Sequence, residues 1–441
     1  MTVKITVDEL SAGMFVTELD RPWHESPFLL QGFLIESDED LQQLQQCCQH
    51  VYIDPSRGKH VLSSHDSSAV PGSDDEGVDH LVMQRDVQND QWTPGGATER
   101  GKLVAAARKA HDAVGLPNAF VEYEVTASIE KELDVAREVH AELETSLNNA
   151  LASYNESSEL HVDEVKASTN HLIESMIRNP DASALLVRLQ SQDSYSYAHS
   201  VEASVLAILF GRHLGLTEAE LNKLALGVLL LDIGKLKLPP ALLDKVGKLH
   251  HVEVRLLKQH VDYSIEVLAE TPGLDPEVLS IVAYHHERFD GKGYPKGMKG
   301  SEIPVYARIA AIVDFYDAYT HPRPYRPAHS TAQAINALYS GSGTRFQPEL
   351  VEEFIQCQGV YPTGSIVLLS SGEVGIVIEQ NPLRRLRPTV LIVRDSDKQE
   401  IDMPYNCDLA MELFDKNGNK LFIESALKPN SYGVTADDFY L

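Results

Sequence analysis

The stretch His285-His286-Glu287-Arg288-Phe289-Asp290-Gly291-Lys292-Gly293-Tyr294-Pro295 decides the fold of this chain. Its two adjacent histidines end an apolar segment and lead directly into a glycine-rich loop that carries a lysine and a tyrosine. Imidazole pairs suit a transition metal, and a glycine-rich loop beside a lysine suits a phosphate group. The stretch therefore predicts metal and phosphate chemistry at one place in the chain.

A second polar group lies upstream, in Leu229-Leu230-Leu231-Asp232-Ile233-Gly234-Lys235, at the end of an apolar run. Asp232 and Lys235 are three residues apart, so a helix would place both on one face. A carboxylate can give one oxygen to each of two ions, which makes Asp232 the natural shared ligand of a two-metal centre. The ammonium of Lys235 could neutralise a phosphoryl oxygen, although a lysine at a helix C-terminus is also a common dipole partner.

Further metal ligands could come from His199, His260 and Asp314. An isolated histidine is more often a hydrogen-bonded helix residue than a ligand, and an isolated aspartate can be a buried hydrogen-bonded carboxylate. A second adjacent histidine pair, at positions 250 and 251, shows that such a pair alone does not define a site. The joint occurrence with the glycine-rich loop and the Asp232 motif is what favours a metal centre.

The two motifs together resemble the HD-GYP family, the cyclic di-GMP phosphodiesterase branch of the HD metal-dependent phosphohydrolases. The resemblance is close over about residues 190–330 and looser in the flanking units. It departs from the family at one position, because Leu231-Asp232 stands where the name-giving His-Asp pair belongs.

The resemblance implies two metal positions with unequal sets of ligands. One set is complete and consists of Asp232, His260, His285 and His286. The other would share Asp232 and would take His199, Asp314 and a histidine that is replaced here by Leu231. Losing a ligand that touches the metal should weaken binding by at least the roughly 10–100-fold seen when a residue behind the ligands is lost. Mixed imidazole and carboxylate ligands suit iron or manganese, and we expect one or two ions per chain.

The resemblance also implies a site for cyclic di-GMP, with Asp232 and Lys235 as the catalytic residues. The guanidinium groups of Arg323 and Arg326 could fork onto phosphate or guanine edges. The glycine-rich loop alone could equally be a surface turn. The expected nucleotide contacts are Asp193, Lys235, Lys292, Gly293, Tyr294, Pro295, Arg323 and Arg326.

Two functions fit these residues. The first is a signalling protein that binds cyclic di-GMP, or a diguanylate cyclase (GGDEF) partner, with hydrolysis weak or lost because of Leu231. The second is a fully active phosphodiesterase that forms pGpG or GMP by a two-metal hydroxide mechanism. The substitution at Leu231 favours the first function, and the Gly-Tyr-Pro loop with its arginines argues against other nucleotide substrates.

Composition limits the partners and the location of the protein. The 441 residues carry a formal net charge of −27, which disfavours non-specific binding to nucleic acid or to anionic membranes. The four cysteines lack metal-type spacing, which is typical of a reducing compartment. We see no signal peptide and no apolar run long enough to span a membrane, so we expect a cytoplasmic protein.

We expect a mainly α protein, in which an all-helical HD-type core is flanked by a small N-terminal α/β domain and a small C-terminal β unit. A Ser-, Asp- and Gly-rich stretch between the N-terminal domain and the helices predicts a disordered acidic linker. The expected segments are an α/β domain at 1–62, the linker at 63–101, a helical connector at 102–179, the HD-GYP domain at 180–357 and the β unit at 358–441.

The connector contains an apolar stripe that recurs every four residues, at Val135, Val139, Leu143, Leu147 and Leu151. Such spacing predicts one apolar face on a long helix. We favour packing of this face within the chain, and a homodimer through the same face is the alternative.

Overall fold

The chain divides into two compact units, residues 1–99 and residues 100–441. The computed structural model describes residues 3–11, 14–20, 33–35, 38–53, 94–189, 198–321, 329, 331–381, 384, 386–411, 413–414, 418, 420–427 and 431–434.

The N-terminal unit contains a four-stranded antiparallel sheet and one helix, in agreement with the expected α/β domain. Val16, Ile35, Leu44 and Val51 are fully buried in its core, where the helix covers the sheet. The elements are β1 (Val3–Thr6), β2 (Phe15–Leu19), β3 (Phe33–Leu34), α1 (Asp38–Cys47) and β4 (His50–Ile53). The strands follow the spatial order β1-β4-β2-β3.

The rest of the described chain is mainly helical, as expected for an HD-type core. The helices are α2 (Pro94–Val114), α3 (Ile129–Ser157), α4 (Asp163–Arg178), α5 (Pro180–Leu189), α6 (Ala198–His213), α7 (Glu218–Leu229), α8 (Pro240–Leu243), α9 (His251–Lys258), α10 (His260–Ala269), α11 (Pro276–Tyr284), α12 (Val305–Thr320), α13 (Thr331–Ser340) and α14 (Pro348–Gln358).

One segment differs from expectation, because α2 already begins at Pro94, inside the stretch predicted as a disordered linker. A proline is favourable at the start of a helix, where its missing N–H would have no helical partner. The remainder of the predicted linker, residues 63–93, lies outside the described ranges.

Two helices that lead to the predicted site start as their sequences indicate. Thr217 caps α7 by accepting a hydrogen bond from the Glu220 N–H, and the Glu220 carboxylate accepts one from the Thr217 N–H. Asp275 caps α11 by accepting a hydrogen bond from the Glu277 backbone, with Pro276 in the first turn. These local signals fix where α7 and α11 begin, and therefore where their C-terminal ends present Asp232 and His285.

The apolar stripe of the connector lies on α3 and is buried at Val139, Leu143, Leu147 and Leu151. The helix packs along α4 in the same chain. Packing within the chain therefore accounts for this stripe, and the homodimer stays a prediction.

A five-stranded antiparallel sheet follows the helices, in the spatial order β8-β7-β6-β5-β9. One of its faces packs on α3 and α5, where Ala136 and Leu185 join Ile376 and Leu391 in one apolar cluster. The strands are β5 (Ile366–Leu369), β6 (Val374–Glu379), β7 (Thr389–Arg394), β8 (Glu400–Asp408) and β9 (Ile423–Ala426). None of the helices described here is long and apolar enough to cross a bilayer.

An ion pair between a buried carboxylate and a half-buried guanidinium joins α3 to α4. Glu132, only 3% exposed, accepts hydrogen bonds from Arg178 Nε at 3.0 Å and Nη2 at 2.7 Å. Its Oε1 atom also accepts a hydrogen bond of 2.8 Å from the Ser175 hydroxyl. A carboxylate with three donors is well compensated for its loss of water.

We expect Glu132→Ala to lower the free energy of unfolding by about 2–3 kcal/mol, because Arg178 loses its partner and Ser175 its acceptor. Glu138→Ala, at an exposed position of the same helix, is the matched control and should change stability by less than about 0.5 kcal/mol. Urea unfolding measures both variants. Equal effects would mean that the pair adds nothing beyond helix propensity.

Candidate metal centre

Three of the predicted ligands meet at the ends of two helices. His260 is the first residue of α10, and His285 and His286 directly follow α11. One ring nitrogen of each lies within 4.8 Å of the others. Two atoms bound to one transition metal at about 2.0–2.1 Å each are at most about 4.2 Å apart, so small side-chain movements suffice to coordinate an ion.

Backbone hydrogen bonds set the orientation of two of these rings. Nδ1 of His260 lies 2.7 Å from the carbonyl oxygen of Leu257, and Nδ1 of His285 lies 2.8 Å from that of Val282. A carbonyl oxygen only accepts, so each Nδ1 carries the proton and each Nε2 keeps a free lone pair. Metal-binding histidines in proteins are typically held in this way.

Asp232 supplies a carboxylate next to the three rings. It follows the end of α7 and precedes a short 3-10 helix, Ile233–Lys237. Its Oδ1 lies 3.5 Å from His260 Nε2, and its Oδ2 lies 2.5 Å from Lys235 Nζ. Burial would raise the pKa of Asp232, but Lys235 and then His260 outweigh burial, and the pKa lies below its usual value. The carboxylate is therefore ionised and available as a ligand.

The backbone of Gly234 holds Asp232 against α10. A Cβ atom at Gly234 would lie 2.1 Å from the carbonyl oxygen of His260 and 2.3 Å from the amide nitrogen of Ser264, which no side chain could tolerate. The Gly234 N–H donates to Ser264 Oγ at 2.8 Å, and this hydroxyl donates to the carbonyl oxygen of Leu231 at 3.0 Å. The glycine thus permits the close approach that brings Asp232 to His260.

The three histidines are held in their neutral forms. Burial lowers the pKa of His285 to about 4 and also lowers that of His260. Burial lowers the pKa of His286 well below its usual value, and a proton on His285 would lower it further by repulsion. A neutral imidazole is the form that binds a metal, because the coordinating nitrogen must carry no proton.

The four residues Asp232, His260, His285 and His286, which we call the histidine cage, fit a divalent transition metal. His260 Nε2 is buried and has no hydrogen-bond partner, which is unfavourable unless a further ligand occupies the site. Three nitrogens and a carboxylate match the ligand types of zinc, iron and manganese sites.

The loop after the cage is shaped by Glu287, which the sequence analysis did not single out. This residue is only 4% exposed. Its carboxylate accepts hydrogen bonds from the backbone N–H groups of Lys296 at 2.6 Å, Gly297 at 3.0 Å and Met298 at 3.0 Å. A Cβ at Gly293 would lie 2.5 Å from Glu287 Cα, so glycine is required where the loop returns over this residue.

The same loop places Tyr294 against the cage. The Tyr294 ring lies 4.8 Å from the His286 ring, and the peptide bond to Pro295 is cis. Burial, with smaller contributions from Asp314 and Asp232, raises the pKa of Tyr294, so its hydroxyl stays protonated. Lys258 Nζ lies 4.5 Å from the centre of the Tyr294 ring and adds a cation that the sequence analysis did not name.

His199 contacts a different group of side chains. Its Nδ1 lies 3.6 Å from Glu202 Oε2 and 3.9 Å from Asp317 Oδ2. His321 Nε2 approaches Glu202 Oε2 to 2.8 Å. We call these four residues the His199 cluster. Its ligand atoms also lie within 4.8 Å of one another.

The charges within the His199 cluster stabilise the ionised form of Glu202 and the protonated form of His321. Burial alone would raise the pKa of Glu202, but His199 and His321 outweigh it and lower the pKa to about 2. Burial alone would lower the pKa of His321, but Asp317 and Glu202 outweigh it and raise the pKa to about 11. The spacings His199-x-x-Glu202 and Asp317-x-x-x-His321 are the only sequence signal that could have indicated this group.

The structure describes some of the predicted nucleotide contacts and not others. Lys292 is exposed on the loop, and Asp314 lies one turn before Asp317 on α12. Asp193, Arg323 and Arg326 lie outside the described residues. Their roles stay predictions.

Removing the Glu287 carboxylate should release the loop. We expect Glu287→Ala to lower the free energy of unfolding by about 2–3 kcal/mol, since three backbone N–H groups lose a charged acceptor. Glu287→Gln, which keeps one carbonyl oxygen, should show an intermediate loss. Hydrogen exchange at residues 296–298 provides a direct measurement, and protection unchanged in the alanine variant would contradict this role.

Comparison with protein families divides the chain into three matched regions. The HD domain model matches residues 183–350. A domain of unknown function (DUF3391) matches residues 2–165, and a KOW domain associated with the HD domain matches residues 366–434.

Several characterised proteins are similar to this chain. A cyclic di-GMP phosphodiesterase of Pseudomonas aeruginosa is 33% identical over 89% of this chain and 85% of its own length. The cyclic di-GMP phosphodiesterase response regulator RpfG of Xanthomonas campestris is 34% identical over 40% of this chain and 46% of its own. A 3'3'-cGAMP-specific phosphodiesterase of Vibrio cholerae is 36% identical over 32% of this chain and 27% of its own.

A solved structure, that of an HDG"Y"P protein from Bdellovibrio bacteriovorus, covers 80% of this chain and 98% of its own with a TM-score of 0.41 and 17% identity. A likeness this distant adds nothing to the assignment. The assignment depends on the HD domain match and on the Pseudomonas relative, which is similar along nearly the whole chain. With its helical core, its His285-His286 pair and its Gly-Tyr-Pro loop, the chain belongs to the HD-GYP family.

Proposed function

We propose that this protein binds cyclic di-GMP at the histidine cage and hydrolyses it weakly or not at all. The observation that carries the proposal is the contrast between the complete cage and Leu231, which is 4% exposed and precedes Asp232 where the family has a histidine. Relatives named as cyclic di-GMP phosphodiesterases support the choice of ligand.

The residues around the cage suit a cyclic dinucleotide with two phosphates. Lys235 and Lys258 lie beside Asp232 and Tyr294, and Lys292 is exposed on the adjoining loop. These ammonium groups form a local cationic region in a chain whose net charge is −27. Such a region attracts an anionic ligand that the overall charge would repel. The protonated Tyr294 hydroxyl can donate a hydrogen bond to a phosphate oxygen or to the nucleotide.

When bound, a divalent ion in the cage would polarise a phosphoryl oxygen and make a neighbouring water more acidic. Lys235 would then place its charge beside the same phosphate and stabilise negative charge as it develops. Asp232 orients Lys235 through their ion pair and at the same time faces His260. The chain thus retains groups for binding and charge stabilisation.

The second metal position expected from the family lacks one of its ligands in this chain. Leu231 cannot coordinate a metal, and His199 contacts Glu202 and Asp317. Hydrolysis by two metals needs both ions about 3.5–4 Å apart. The loss of one ligand therefore supports a protein that reports cyclic di-GMP, either directly or through a diguanylate cyclase partner, rather than one that removes it rapidly.

The alternative is a fully active phosphodiesterase, and the similarity to the Pseudomonas enzyme favours it. Calorimetric titration of the Mn²⁺-loaded protein with cyclic di-GMP, together with chromatographic detection of pGpG and GMP, distinguishes the two functions. Binding without turnover supports the proposal. Rapid hydrolysis establishes the alternative, and the absence of binding overturns both.

A histidine at position 231 should restore metal binding and hydrolysis of cyclic di-GMP. We expect Leu231→His to increase Mn²⁺ affinity by about 10-fold or more and to raise the hydrolysis rate. Leu230→His is the matched control, because Leu230 is adjacent in the chain and also buried, at 1% exposure. Both variants should lose stability without metal, since each buries a polar ring.

Only Leu231→His should regain that stability when Mn²⁺ is added. Thermal unfolding with and without Mn²⁺ measures this difference, and the product assay measures turnover. If Leu231→His folds but neither Mn²⁺ affinity nor turnover rises above the Leu230→His values, then Leu231 does not occupy the ligand position.

A further inference from the structure

We propose that the His199 cluster is a second metal site, separate from the histidine cage, with His199, Glu202, Asp317 and His321 as its ligands. Two imidazoles and two carboxylates suit a divalent transition metal such as manganese, iron or zinc. Of the four, only His199 was expected to bind a metal, and it was expected to do so with Asp232 and Asp314. The inference does not depend on whether the cage hydrolyses cyclic di-GMP.

The cluster is built by two helices that pack against each other. His199 and Glu202 lie one turn apart in α6, Asp317 lies in the last turn of α12, and His321 caps the end of α12. Helices α6 and α12 are in contact along the core. Ligands on two rigid helices are already positioned before any ion binds, which lowers the cost of ordering them.

Contact distances within the cluster are compatible with one shared ion. The separations are 2.8 Å for His321 Nε2 to Glu202 Oε2, 3.6 Å for His199 Nδ1 to Glu202 Oε2 and 3.9 Å for His199 Nδ1 to Asp317 Oδ2. Atoms that share one transition metal at about 2.0–2.2 Å lie at most about 4.4 Å apart. All three separations satisfy this limit.

The orientation of His321 is typical of a metal ligand. Its Nδ1 lies 2.9 Å from the carbonyl oxygen of Asp317 and 3.1 Å from Asp317 Oδ1, so Nδ1 can donate to Asp317 while Nε2 faces Glu202. A metal ion that binds Nε2 must displace the proton that the two carboxylates hold on His321. A backbone carbonyl behind the ring is the usual way in which proteins fix the tautomer of a coordinating histidine. The same arrangement holds His260 and His285 in the cage.

An independent observation is that polar atoms in the cluster lack hydrogen bonds. Glu202 and Asp317 are 8% and 5% exposed, respectively. Glu202 Oε2, Asp317 Oδ1 and His199 Nδ1 are each buried with no hydrogen-bond partner, although His321 approaches the two carboxylates as an ion pair at 2.8 Å and 3.1 Å. Buried polar atoms in proteins nearly always have partners, so unpaired atoms around one point indicate an absent ligand.

Helix α12 connects the cluster to the surroundings of the cage. Asp314 and Asp317 are one turn apart on α12. The charge of Asp314 acts on Tyr294 beside the cage, whereas the carboxylate of Asp317 contacts His199. Helix α12 therefore carries, one turn apart, a residue whose charge reaches the loop beside the cage and a ligand of the His199 cluster.

The test is the Mn²⁺ content of the full-length protein after dialysis against Mn²⁺. We expect about two equivalents per chain in the wild type. The double variant Glu202→Gln/Asp317→Asn should lose about one equivalent, because each amide keeps the shape of the side chain but weakens the ligand by about 10-fold or more. Glu218→Gln, an exposed position on α7, should keep both equivalents.

A variant of the histidine cage shows which of the two sites has lost its ion. His285→Gln should also lose one equivalent, and it alone should lose cyclic di-GMP binding, so failure of the cage and failure of the His199 cluster can be told apart. Thermal unfolding provides a second measurement. Mn²⁺ should raise the melting temperature of His285→Gln more than that of a triple variant that also carries the two cluster substitutions.

Two results would overturn the inference. One is a Mn²⁺ content in Glu202→Gln/Asp317→Asn equal to that of the wild type. The other is a loss of thermal stability in this variant that is the same in EDTA as in Mn²⁺, which would identify the cluster as an ion-pair group that binds no metal.

Discussion

The close contact between Gly234 and the backbone of α10 is the constraint on which the site depends. Only a residue without a side chain fits there, and the hydrogen bonds through Ser264 tie the segment from Leu231 to Gly234 onto the helix that begins with His260. Asp232 is thereby held next to His260, although Asp232 follows α7 and His260 begins α10. His285 and His286 add two ring nitrogens to this fixed pair, and Lys235 adds a positive charge.

Much of the fold follows from local signals in the sequence. The caps at Thr217 and Asp275 identify helix starts because their hydrogen bonds involve only neighbouring residues. Strands β5, β6 and β7 are apolar enough to be identified directly. Strand β8 carries no such signal, because it is an edge strand with mostly accessible side chains and an internal Pro404, so only its pairing with β7 makes it a strand.

The site was predictable to the extent that its residues are close in sequence or match the family. The adjacent pair His285 and His286 indicates the cage, whereas Glu202, Asp317 and His321 give no comparable signal. These three meet only because α6 packs on α12, a contact between distant parts of the sequence. Glu287 was missed for a different reason, because nothing in its sequence neighbourhood indicates that it is buried under a loop.

Helix α12 carries one carboxylate that acts on the loop after the cage and another that belongs to the His199 cluster. Asp314 acts electrostatically on Tyr294, and Asp317, one turn further along the same helix, contacts His199. A rotation of α12 about its axis would displace both carboxylates in the same sense. Ligand occupancy beside Tyr294 and ion occupancy beside His199 would then be thermodynamically linked, each altering the other's affinity by the same factor.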